Sequence, residues 1–140
     1  MPLWIVYAIL SAIAAALVAV FGKIGISAVD STLATTVRAI IMAVFLIGVS
    51  FAFGKFQFLN TFNSKIFTFV MFSGIAGAVS WLFYFLALKT GPVSGVVALD
   101  RLSVVFALLL AIAFLGEKLT IRSGTGAALV FVGAILLSIK

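Results

Sequence analysis

Apolar residues run along this chain in five long blocks, at residues 3–22, 33–53, 66–88, 93–115 and 123–139. Each block holds about 17 to 23 residues, and a helix rising about 1.5 Å per residue needs roughly that length to cross a hydrocarbon layer about 30 Å thick. Polar and apolar positions do not alternate within the blocks, so the pattern of a membrane barrel strand is missing and the helix is preferred. The pattern predicts an all-α protein, a polytopic membrane bundle of about five transmembrane helices.

The breaks between blocks carry stop and start signals. Lys23, Gly25 and residues 30–32 end the first span and begin the second, with Ser31 or Thr32 expected as its N-cap. Residues 54–65 (GKFQFLNTFNSK) form the longest polar break. Gly91-Pro92 separates the third and fourth spans, because proline belongs at a helix start and not in its interior. Residues 116–120 end the fourth, and Thr120 is expected to cap the fifth. No linker is long enough to hold a second domain, so residues 1–140 are expected to form one.

Composition changes little in this picture. Of 140 residues, 66% are hydrophobic and 9% charged, too few polar groups to cover a water-soluble fold of this size. The first block includes Ala14-Ala15-Ala16, which resembles a leader cleavage site, but no Lys or Arg precedes it and the block continues past the alanines. It is read as a membrane span. The net charge of +6 comes from scattered basic residues that form no patch, so no nucleic-acid partner is expected and lipid headgroups are the natural counter-charge. Neither histidine nor cysteine is present, which removes disulfides, zinc–sulfur sites and the usual nucleophile–base pairs. With a single acid inside a span and no phosphate-loop signature, no catalytic site, metal or cofactor is expected.

Basic residues also bear on orientation. Loops on the N-terminal side hold Lys55, Lys65, Lys118 and Arg122, and the opposite side holds Lys23, Lys89 and Lys140. Four against three barely feeds the positive-inside rule. Two readings follow: a fixed orientation with the N-terminus inside, or insertion both ways followed by antiparallel pairing.

Charges within the spans are the candidate chemistry. Arg38 lies about 7–8 Å along the second span and Asp100 about 10–11 Å along the fourth, at 1.5 Å per residue. Both spans begin on the side opposite the N-terminus, so the two residues share one half of the bilayer and are placed to meet. A charge at that depth costs roughly 2.5–3.5 kcal/mol on insertion scales, so it faces a partner or a water-filled cavity. One reading is a bundle-stabilising ion pair. The functional reading is a polar vestibule of Lys23, Arg38 and Arg101 against Asp100, whose surplus positive charge favours carboxylates or other anions. Lys23 and Arg101 also read as residues that snorkel toward the interface, Arg101 being turned about 100° from Asp100.

Three faces of small or polar residues complete the inventory. In the third span Ser73, Gly77, Ser80 and Tyr84 share a face, read either as helix packing or, with Trp81, as the lining of a substrate path. Ala8, Ala12, Ala15 and Ala19 of the first span read as packing. Gly126 and Gly133 lie two turns apart on the fifth, which suits close contact within the bundle or between protomers. A weak repeat is also visible: Lys23-Ile24-Gly25 and Lys89-Thr90-Gly91 each precede a span with an internal arginine.

Several of these segments together resemble the EamA domain of the drug/metabolite transporter superfamily. They are the Trp-led first span ending in Phe21-Gly22-Lys23, Arg38 early in the second, Leu115-Gly116-Glu117-Lys118-Leu119, and the spacing of Gly126 and Gly133. Residues 97–105 (VALDRLSVV) look like the short, single-domain bacterial members. The resemblance covers essentially the whole chain. It differs from longer members, which often carry proline where Asp100-Arg101 stand and contain two such domains.

The resemblance implies a secondary transporter, or half-transporter, moving a small metabolite across the plasma membrane. Half-length implies a homodimer, by similarity to the small multidrug resistance proteins, which pair antiparallel. The membrane-embedded glutamate of their first helix has no counterpart here, where Ser11 is the only polar residue before Lys23 apart from Tyr7 and Trp4. Proton exchange and cationic substrates are therefore not carried over. The alternative class is a non-transporting membrane subunit that scaffolds another membrane protein; an ion channel is weaker, since no filter sequence is visible.

Overall fold

The computed structural model describes residues 2–139. Lys140, counted above among the loop charges, lies outside the described residues. The helices are α1 (Leu3–Gly25), α2 (Ser31–Ala52), α3 (Ser64–Thr90), α4 (Val93–Asp100), α5 (Ser103–Leu115) and α6 (Ile121–Ser138), and no strand occurs among the described residues. Five stretches are long and apolar enough to cross a membrane, α4 and α5 together making one of them over Val93–Leu115. The protein is a multi-pass membrane helix protein. Large side chains such as Phe45, Phe51 and Phe114 stand exposed all along the helices, a surface that only lipid accommodates.

Local chemistry sets the helix ends. Asp30, not Ser31 or Thr32, is the N-cap of α2: its extended backbone turns Oδ1 onto the Leu33 N–H at 2.9 Å. A carboxylate at that place satisfies a free donor and its charge complements the helix dipole. Asn63 does the same at α3, its Oδ1 accepting from Ile66 N–H at 2.9 Å. Thr120 caps α6 as expected, within a reciprocal box completed by Ser123. Gly116 ends α5 with φ at +67°, and the Glu117 N–H closes back on the Ala111 carbonyl at 3.3 Å, a closure that favours a residue without a Cβ. The polar break after α2 holds a short 3₁₀ segment, Lys55–Thr61, entered through Gly54 at φ +61°.

The fourth span differs from the continuous helix that its sequence predicts. At Arg101-Leu102 the backbone keeps helical dihedrals but tightens by one residue. Leu102 N–H bonds Leu99 O at 3.0 Å, and Val104 N–H bonds Arg101 O at 3.1 Å in place of Asp100 O. The span is therefore two helical pieces joined at its charged pair.

The chain forms two compact units: Gly22–Lys89, and the segments on either side of it. Within the first, Ile26, Ser31, Phe85 and Leu88 are buried. Within the second, α4 packs against α6 through Gly95, Ala98 and Ala134. A Cβ on Gly95 would stand 3.6 Å from both the Leu137 carbonyl oxygen and the Ser138 Cα, so the two backbones approach closely there.

Candidate functional site

In the Gly22–Lys89 unit, one turn-and-a-half of α3 gathers three rings. Trp81 and Phe85, four residues apart, stack with centroids 5.7 Å apart and planes 25° apart. Tyr84 stands edge-on to both, 5.7 Å from each centroid. Spacings of three and four bring side chains together on a helix, and each such aromatic pair contributes about 0.5–1.5 kcal/mol beyond the area it buries.

Arg38 of α2 lies on this cluster. Its Cζ is 3.7 Å from the Trp81 ring centroid and 5.2 Å from that of Phe85. A guanidinium against the π-face of an indole is attracted by the ring quadrupole, by about 2 kcal/mol or more where water is excluded. Such a contact holds a cation at membrane depth without neutralising it. The rings fix where the charge sits; the charge itself remains. Among the described residues of this unit, no hydrogen-bond acceptor meets the guanidinium, although it carries five N–H donors.

The face of α2 that bears Arg38 also bears Thr35 and Ser31, at positions i, i−3 and i−7. Thr35 Oγ1 donates to the Ser31 carbonyl at 2.7 Å. Ser31 is 1% exposed, and its own hydroxyl is buried without a hydrogen-bond partner among the described residues.

Lys23 is drawn into the frame of this unit. Its ammonium donates to the Leu88 carbonyl and, at 3.4 Å, to the Lys89 carbonyl, oxygens at the end of α3. Lys89 in turn donates to Val29 O at 3.0 Å, in the link between α1 and α2. The Lys-x-Gly pair noted in the sequence thus ties α1, α3 and the α1–α2 link together, with two cations complementing the negative end of α3.

Asp100 and Arg101 belong to the other unit, at the tightened step between α4 and α5. Asp100 is half-buried and Arg101 exposed, as the turn of about 100° between successive residues requires. Ser80 is exposed on α3. Gly126 and Gly133 face open space: a Cβ at either would meet nothing within 4 Å among the described residues. Gly77, in the third-span stripe, is equally open.

Phe85 and Gly22 complete the cluster, and composition alone marks neither of them as part of it. Phe85 is 2% exposed and completes the aromatic floor, but it is one of 15 phenylalanines in an apolar chain; the i, i+4 spacing from Trp81 was its one clue. Gly22 admits that ring, since a Cβ there would stand 2.5 Å from Phe85 Cε1.

A model of the EamA-like transporter family matches residues 2–139. A protein from Sinorhizobium sp, described as "Uncharacterized transporter in cobO 3'region", is 38% identical over 136 residues, which cover 97% of this chain and 96% of that protein. No solved structure matches the chain. Matched almost end to end by the family model and by a relative of nearly equal length, this multi-pass membrane protein belongs to the EamA-like transporter family.

Proposed function

We propose that the protein is a secondary transporter, working as a homodimer, that carries a small metabolite across the plasma membrane by alternating access. The observation that carries this reading is Arg38: a guanidinium inside a span, seated 3.7 Å over Trp81 with its charge left uncompensated by any acceptor of its own unit. Keeping a charge at that depth is costly, and a protein gains from it where a ligand or ion passes. The fourth span adds a charged pair inside the membrane, Asp100-Arg101, placed where its helix tightens by one residue. The substrate path would run past Arg38, Trp81 and Tyr84.

Reconstitution tests the reading. Purified protein in liposomes is expected to catalyse counterflow of a metabolite found by an uptake screen. The Arg38→Gln variant should accumulate in membranes yet lose most of that flux. An Arg38→Gln protein that transports as fast as the parent would remove the site. Obligate co-purification with another membrane protein, without counterflow, would establish the scaffold class instead.

A further inference from the structure

We infer that the ligand of the Arg38 cluster is an organic anion of single charge, a carboxylate attached to an apolar or aromatic body. This rests on the transport reading for its purpose, though not for its geometry. Arg38 presents five N–H donors, and in its unit the guanidinium meets the rings of Trp81 and Phe85 and no hydrogen-bond acceptor among the described residues. Donors left unbonded in an apolar setting call for an acceptor, and a carboxylate matches the guanidinium fork with two parallel bonds.

The charge follows from the same balance. Lys23 and Lys89, the other cations at this end of the unit, already donate to main-chain carbonyls. Within this unit one guanidinium, that of Arg38, therefore remains to meet the ligand. It compensates one negative charge, and a second would stay unpaired in a low-dielectric site, where that is costly. The remainder of the ligand meets Trp81 and Tyr84, which stay partly exposed over the buried Phe85 and whose rings offer apolar surface and exclude a strongly hydrated group.

A lipid phosphate diester also carries one negative charge. Depth argues against it. Arg38 stands five residues into the apolar block of the second span, about 7–8 Å along the axis, so a headgroup would have to sink that far below the start of the apolar layer.

The protein has two tryptophans, so Trp4→Phe leaves Trp81 as the single fluorescent reporter, in direct contact with Arg38. In nanodiscs of phosphatidylcholine, hexanoate should change Trp81 emission saturably, while hexanol and hexylammonium at equal concentration should not. Adding Arg38→Gln should weaken hexanoate binding at least tenfold. Replacing a third of the lipid by phosphatidylglycerol should leave the hexanoate curve unchanged. An equal response to hexanol or hexylammonium, no response to hexanoate, or abolition of the response by phosphatidylglycerol would each overturn the inference, the last by making the headgroup the ligand. The comparison among the three probes uses the Arg38 protein and so stands even where Arg38→Gln fails to fold. Hexanoate binding without counterflow would sink the transport reading and leave this one intact. Counterflow of an amine without hexanoate binding would do the reverse.

Discussion

Asp30 is exposed and Ser31 is buried, yet the first holds α2 in place and the second does not. The Asp30 carboxylate satisfies the Leu33 N–H, whereas the Ser31 hydroxyl sits in the interior with no partner among the described residues. Removing a cap costs about 1 kcal/mol, and removing an unsatisfied buried hydroxyl costs little or returns stability. Asp30→Ala should therefore lower the thermal midpoint of the detergent-solubilised protein, while Ser31→Ala leaves it unchanged or raises it. Equal losses from the two would undo the assignment of the cap. The sequence offered Ser31 and Thr32 because hydroxyl residues cluster there; what it does not display is which of three adjacent polar residues has the extended backbone of an N-cap. Arg38 and Trp81 were legible as separate candidates, one by its charge within an apolar block and the other by its place beside the Ser80–Tyr84 face. Their contact was not, since it depends on how α2 meets α3, and apolar blocks are alike in composition.

Spans were the most legible elements, because lipid imposes continuous apolar runs that no soluble core requires. The joint in the fourth span escaped, as Asp100-Arg101-Leu102 contains neither proline nor glycine and keeps helical dihedrals throughout. A one-residue tightening leaves no trace in hydrophobic pattern. Glycines were legible as a type, and the structure divides them by surroundings. Gly95 sits against the backbone of α6, while Gly126 opens on empty space. Leucine at Gly95 should push α4 from α6 and cost about 1–3 kcal/mol, as overpacking does. Leucine at Gly126 should leave the thermal midpoint of the protomer unchanged and reduce the dimer seen by cross-linking in native membranes. A cross-linking yield unaffected by Gly126→Leu together with Gly133→Leu would place the proposed dimer contact elsewhere.

For the molecule as a whole, the four-to-three division of loop cations leaves little to fix its orientation. If both orientations are populated, a cysteine introduced beside Lys55 should react with impermeant reagents from both sides of the membrane, and two added lysines in the 54–65 break should confine it to one. Labelling from a single side in the otherwise unaltered protein would remove the antiparallel dimer and leave a parallel one. The division into two units has a consequence for the order in which the protein is made. Gly22–Lys89 is continuous in sequence, so the seat of Arg38 on Trp81 has all its residues once α3 has left the ribosome. The other unit joins the first helix to the last three, and so it cannot close until α6 has been synthesised. During that interval α1 is anchored to the growing protein by its end alone, through Lys23 on the carbonyls of α3, while the rest of its length waits in lipid for helices not yet translated.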